Sequence, residues 1–340
     1  MEKKLPVIGE QALVLCEDDG KYLRTHGRYT IKQGCLAFDW PNSGISFNFS
    51  GTGFILSFGS YSAEEPAYVK VYLDGVEQRF AISTGKEKII YENLAEKRHR
   101  VTIIKVTEGA APLLFKDLVL LGMDHKLMAP PFDKPRKIEF LGDSITCGYG
   151  VIANPSETAY HTFQQDSTMT YAYFTAKELE ADAHYECISG KGILCNCLGE
   201  KDNEIPLFFE HASQAKEPWD FSRWIPNIVI INAGTNDAAG AIADQVFTEA
   251  SVAFLKQIRT KYSDAHIIWV YGMMNDKYVS AIKAAVKELN RTDENVHFLY
   301  VESINQMTGE TGANGHPNTR ANMRVSKLLV KKIKSITNWK

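Results

Sequence analysis

Ile138-Glu139-Phe140-Leu141-Gly142-Asp143-Ser144-Ile145-Thr146 is an apolar run that stops at a glycine and then places a serine at the break. Continuous apolar residues suit a strand covered on both faces, and the glycine permits a sharp turn. A serine at such a turn stands at the edge of a sheet and near a helix N-terminus, where developing negative charge is stabilised. Taken alone, Gly-Asp-Ser is equally a turn or a helix cap.

The pattern around this run repeats. Strand-like stretches at 138–141, 185–189, 228–232, 267–271 and 296–301 alternate with helical ones near 168–180, 245–261, 278–290 and 319–336. That alternation predicts an α/β domain, a parallel sheet with helices on both faces, whose ligands bind beyond the carboxyl ends of the strands. At those ends stand Ser144, then Gly190 in Ser189-Gly-Lys-Gly192, then Asn236 in Ala233-Gly-Thr-Asn-Asp237. His316 precedes the last helix. Glycine allows close approach of a backbone N–H to a ligand oxygen, an Asn amide donates to an oxyanion, and a neutral imidazole is the usual base for a serine hydroxyl. Each also has a structural reading as a tight turn, a loop residue or a packing histidine.

Upstream the period changes to two. Ile45, Phe47 and Phe49 alternate with polar residues, Gly51-Thr-Gly53 intervenes, and Phe54, Leu56 and Phe58 resume the alternation, as in a half-buried antiparallel hairpin. Val69, Val71 and Leu73 lead through Asp74-Gly75 to Val76, a second hairpin with a turn dipeptide that favours positive φ. With further candidates at 101–106 and 118–121, residues 1–128 predict an all-β jelly roll or β-sandwich. They supply no set of nucleophile, base and oxyanion donors, so they read as an accessory domain. Residues 129–137, with Pro130, Pro131 and Pro135, form the predicted linker, and 138–340 the catalytic domain.

Composition excludes other classes. With 340 residues, 44% hydrophobic, 23% charged and a net charge of −3, the chain is an ordinary globular protein without the basic excess that nucleic acid requires. No run of about 18 apolar residues exists to cross a membrane. As written the chain reads as cytoplasmic; with a signal peptide removed the same sequence would be secreted. The six cysteines show no disulfide spacing, and Cys195 and Cys197 make an incomplete zinc set.

The ordered blocks resemble the SGNH (GDSL-type) hydrolase superfamily, which implies Ser144 as nucleophile and His316 as base. The oxyanion donors would be Gly190, Asn236 and the backbone N–H of Ser144. The sandwich ahead of them, Trp40-Pro-Asn-Ser-Gly-Ile45, Ser189-Gly-Lys-Gly-Ile193 and Trp219-Asp-Phe-Ser-Arg-Trp-Ile-Pro226 are similar to carbohydrate esterase family 2. That resemblance implies a serine esterase, free of metal and organic cofactor, removing acetyl groups from plant polysaccharides such as xylan, mannan or glucomannan. Many SGNH enzymes carry an Asp three residues before the histidine; here Ala313 stands there, which implies a Ser-His dyad held by a backbone carbonyl. Asp143 and Asp237 are expected to brace the turns around Ser144 and Asn236. Tyr149, Tyr160, Trp219 and Trp224 are candidate sugar-facing aromatics.

Overall fold

The computed structural model describes residues 13–18, 20–59, 65–108 and 113–340; the first twelve residues of the expected β-domain lie outside that set. Among the described residues, two six-stranded antiparallel sheets make up the first part. One runs Thr30–Lys32, Cys35–Phe38, Leu113–Leu121, Gly53–Phe58, Lys88–Tyr91, with Leu13–Val14 also on Leu113–Leu121. The other runs Lys126–Met128, Gly44–Gly51, Lys97–Lys105, Ala67–Leu73, Val76–Ile82, with Leu23–His26 also on Gly44–Gly51.

The hairpin expected across Gly51-Thr-Gly53 is not one, because Gly44–Gly51 and Gly53–Phe58 belong to opposite sheets. Phe47 and Phe49 meet Phe54 edge-on across the core, with ring centroids 5.4 and 5.7 Å apart. Gly53 permits this corner, since a Cβ there would lie 2.1 Å from the Tyr91 carbonyl oxygen. The polar face of Gly44–Gly51 is also covered: Ser46 bonds His26 and Thr102, and Asn48 donates to the Ala129 carbonyl. The second hairpin is as expected, Ala67–Leu73 pairing with Val76–Ile82 through left-handed Asp74 and Gly75.

Five parallel strands form the third sheet, in the order Asp182–Cys187, Lys137–Gly142, Ile228–Asn232, His266–Tyr271, Val296–Tyr300. Their alternate side chains feed two cores. Leu141, Val229, Ile231, Ile267 and Trp269 pack with helices Asp244–Lys261 and Val279–Leu289. Ile138, Phe140, Ile228, Ile230 and Val270 pack with Tyr171–Glu178 and Thr319–Ile336. The first strand in sequence thus lies between the second and the third, so the loops after these three strands are neighbours at one sheet edge.

Buried polar contacts join the two parts. Arg28, fully buried, donates to Glu139 at 2.7 Å and to the carbonyls of Phe209 and His211, and its Nε lies 3.2 Å from Glu186. Trp40 sits within the α/β core and donates to the Ala212 carbonyl. Lys70 reaches Asp166 and Thr168 at 2.9 and 2.8 Å. No helix among the described residues is long and apolar enough to cross a membrane. All six cysteines are free thiols.

Candidate active site

Strand Lys137–Gly142 passes through Asp143 into the short helix Ser144–Cys147. The turn needs Gly142, where a Cβ would come within 2.1 Å of Thr146 Oγ1. Asp143 caps the helix by accepting from the Ile145 N–H at 3.0 Å, so Ser144 occupies the first helical position. Helix Thr319–Ile336 is capped by Asn318, which accepts from Arg320 and Ala321, and the segment before it carries His316 back to the same edge.

There His316 Nε2 lies 2.9 Å from Ser144 Oγ. The other ring nitrogen, Nδ1, lies 3.1 Å from the Asn314 backbone carbonyl oxygen. With Nδ1 donating to that carbonyl, Nε2 is left as the acceptor for the serine proton. Asn314 adopts φ 48° and Gly315 φ 71°, left-handed conformations that turn the Asn314 carbonyl toward the ring two residues later. The Tyr149 ring packs at 4.3 Å between centroids on His316 and at 4.8 Å on Tyr160.

Gly190 follows Asp182–Cys187 with φ +78°, a conformation that favours glycine, and a Cβ would meet Cys197 Sγ at 3.1 Å. Among the described residues, no acceptor takes up the N–H of Ser144 or of Gly190. Asn236 donates from Nδ2 to the Lys191 carbonyl at 2.8 Å and to Asp143 at 3.2 Å. These two bonds use both hydrogens of the amide, so Asn236 would give up one of them in the oxyanion-donor role expected from its place in the sequence. Asn236→Ala is therefore expected to lower kcat by about 10²- to 10³-fold with little change in KM. A change mainly in KM would make Asn236 a ground-state binding residue instead.

The two acids are both fully buried. Asp143 braces its own turn as expected, but Asp237 accepts from the N–H groups of Ile193, Leu194 and Cys195, so it holds the loop after Gly190 rather than its own turn. Burial, with Asp237 as a neighbouring like charge, pushes the Asp143 carboxyl up to about 7. Burial pushes His316 below its ordinary 6.5, against the Asn314 carbonyl, which favours the charged ring. A base must be neutral, so activity is gained as pH rises through the His316 pKa. The acid limb of kcat/KM is expected to have its midpoint below 6.5. A midpoint at or above about 7 that moved in Asp143→Asn would transfer control of the limb to Asp143.

Two of the four candidate aromatics are far from this edge. Trp224 stacks on His184 with centroids 3.7 Å apart and lies near Lys137, the first residue of its strand, at the opposite end of the sheet from Ser144. Trp219 is 7% exposed and faces Arg28 between the domains. Their apolar area serves packing, so neither is a sugar platform for Ser144. Tyr149 and Tyr160 do flank the dyad, with the Tyr160 hydroxyl donating to Gln165 at 2.7 Å.

Sequence patterns did not single out Gln165 or Glu108. Gln165 is buried and donates to the Cys147 carbonyl at 3.0 Å, at the end of the helix that Ser144 begins. Glu108 comes from the β-domain and bonds Ser189. Neither lies in a motif; Gln165 comes from the segment that follows the Ser144 helix in the same domain, and only the meeting of the domains brings Glu108 here.

One group of described residues has metal-like spacing: Glu139, His184 and Glu186, with ligand atoms within 4.8 Å of one another. Arg28 already pairs with both acids there, and a cation would have to displace its buried guanidinium.

Comparison with known proteins adds an independent line. Residues 25–131 match the carbohydrate esterase 2 N-terminal family, and residues 140–323 the GDSL-like lipase/acylhydrolase family. The chain is 30% identical over 313 residues to the cellulase/esterase CelE of Acetivibrio thermocellus, covering 88% of this chain and 38% of that protein's length. It is 24% identical over 331 residues to an acetylxylan esterase/glucomannan deacetylase of Cellvibrio japonicus, covering 94% of this chain and 90% of the relative. Among solved structures, a family two carbohydrate esterase from Clostridium thermocellum in complex with cellohexaose superposes with a TM-score of 0.86. That match has 28% identity and covers 94% of this chain and all of the other.

Proposed function

Because the chain belongs to the GDSL-like lipase/acylhydrolase family, with the carbohydrate esterase 2 N-terminal domain ahead of it, we propose that it is a serine esterase removing O-acetyl groups from plant polysaccharides or their oligosaccharides. Xylan, mannan and glucomannan are the substrate types that fit this reading. In this reading residues 138–340 are the catalytic domain, the described part of 1–128 is the β-domain, and 129–137 run between them, Lys137 already starting the first parallel strand. The observation that carries the proposal is the Ser144–His316 bond, with the second ring nitrogen on a main-chain carbonyl.

In the first step His316 Nε2 takes the Ser144 proton while Oγ attacks the acetyl carbonyl carbon. The carbonyl π electrons move onto oxygen, and this oxyanion is met by the N–H groups of Ser144 and Gly190 and by the Asn236 amide. As the tetrahedral intermediate collapses, the protonated imidazole gives its proton to the departing sugar oxygen, leaving acetyl on Ser144. Water, deprotonated by His316, repeats the sequence and releases acetate. The Asn314 carbonyl accepts from Nδ1–H throughout, so the imidazolium is stabilised without a carboxylate.

A matched series of sugar esters tests the acyl specificity. Turnover of acetyl esters should exceed that of butyryl and longer esters, measured as acid released. Preference for long acyl chains would make the chain a lipase or thioesterase of the same superfamily. An inert chain that still bound the sugar would be a non-catalytic binding protein.

A further inference from the structure

The β-domain reaches into the site through one side chain. Glu108 Oε2 accepts from the Ser189 N–H at 2.6 Å, and Oε1 accepts from the Ser189 hydroxyl. The same carboxylate accepts from Cys147 Sγ–H at 3.5 Å and from Gln165 Nε2 at 3.4 Å. It therefore touches both the residue before Gly190 and the last residue of the helix that Ser144 begins.

The backbone that carries Glu108 is itself anchored. Lys105 Nζ donates to the Thr107 carbonyl, Thr107 Oγ1 accepts from the Tyr68 N–H, and the Val106 carbonyl accepts from the Ser167 N–H at 3.0 Å. The turn it holds is loosely closed otherwise, since the Lys191 N–H to Ile188 carbonyl bond measures 3.4 Å, longer than a good hydrogen bond. On the far side, the Gly190 carbonyl accepts from the Cys197 N–H at 2.8 Å. The plane of the Ser189–Gly190 peptide, and with it the direction of the Gly190 N–H, is set between that bond and the two from Ser189 to Glu108. Hydrogen bonds to a carboxylate are among the stronger ones, so the Glu108 side is a firm anchor.

We propose that Glu108 is a positioning residue for the oxyanion hole: by holding Ser189 it aims the Gly190 N–H, so the β-domain completes the site rather than accompanying it. This rests on the esterase reading above. Deleting an oxyanion donor costs about 10²- to 10³-fold in kcat, and misaiming one costs less, so a loss of about tenfold to a hundredfold is expected.

The test compares full-length wild type with Glu108→Ala, Glu108→Asp and Glu108→Gln on 4-nitrophenyl acetate. Active sites are first titrated to completion with a fluorophosphonate that labels Ser144, so that misfolded protein does not count. Glu108→Ala should lose about tenfold or more in kcat per titrated site while KM stays within about threefold. Glu108→Gln keeps an acceptor oxygen at the same reach and should recover most of that loss. Glu108→Asp keeps the charge but withdraws it by one methylene, and it should lose at least fivefold; it decides the matter if the alanine variant does not fold. Wild-type kcat per titrated site in the folded aspartate or alanine variant would overturn the proposal, as would a loss confined to KM. Acetate release by the wild type measures the esterase reading and the variant-to-wild-type ratio measures this one, so the two failures appear in different numbers.

Discussion

Ser144→Ala is expected to abolish hydrolysis of 4-nitrophenyl acetate, by more than about a thousandfold in kcat, while leaving Tm nearly unchanged. Ser144 Oγ bonds His316 Nε2 and no other group among the described residues, and the Ser144 carbonyl, which accepts from the Gly148 and Tyr149 N–H groups, is kept in the alanine variant. The helix it begins is capped by Asp143, and the tyrosine stack on His316 does not involve the serine. Alanine is also the residue best suited to a helical position, so no backbone penalty is introduced. The measurement pairs steady-state rates with a thermal melt. Retention of more than about a hundredth of the rate would remove Ser144 from the role of nucleophile, because binding and oxyanion donors alone cannot supply covalent catalysis.

His316→Ala should be as inactive as Ser144→Ala, whereas changes at Asn314 should cost less than about tenfold, because a main-chain acceptor survives any side-chain replacement. The contrast with a carboxylate triad is large, since losing the correct tautomer there costs about 10⁴-fold. Asn314 adopts φ 48°, where alanine adds a strain of about 1 kcal/mol, so Asn314→Ala should melt somewhat lower. Asn314→Gly keeps the carbonyl without that strain and separates the two effects. Asp276 and Glu302, acids that follow late strands, serve as further controls. If any folded variant among these matched the loss in His316→Ala, its side chain would be the missing third member and the dyad would fall.

Much of this molecule was legible from periodicity. The apolar runs at 228–232 and 138–141 coincide with or fall within the strands Ile228–Asn232 and Lys137–Gly142, and the last helix spans Thr319–Ile336 as its pattern implies. These elements are read correctly because burial on both sheet faces, or on one helix face, leaves its period in the residues themselves. The Gly51-Thr-Gly53 corner shows where that reading stops. Alternation shows that 45–49 and 54–58 each have an apolar face, but a hairpin and a crossover between two sheets place the same residues toward one core. Only the partner strands, Lys97–Lys105 for one and Leu113–Leu121 for the other, distinguish them. Trp219 and Trp224 fail similarly: an aromatic side chain announces area to be covered, and whether a sugar or His184 covers it is decided by neighbours distant in sequence.

By itself the sequence determined which residue types could perform acyl transfer, in what order they come, and that each follows a strand or precedes the last helix. Tertiary structure decided which of them meet. Placing Lys137–Gly142 between Asp182–Cys187 and Ile228–Asn232 makes three distant loops adjacent, and the return of the chain before Thr319 adds His316. It also placed the Asn314 carbonyl against the second ring nitrogen of His316, and Glu108, 81 residues from Ser189, beside the turn that carries Gly190. The physical reason is that local periodicity records only whether a side chain is buried. A hydrogen bond between separated residues depends on the packing of whole sheets and domains, which leaves no period in either partner.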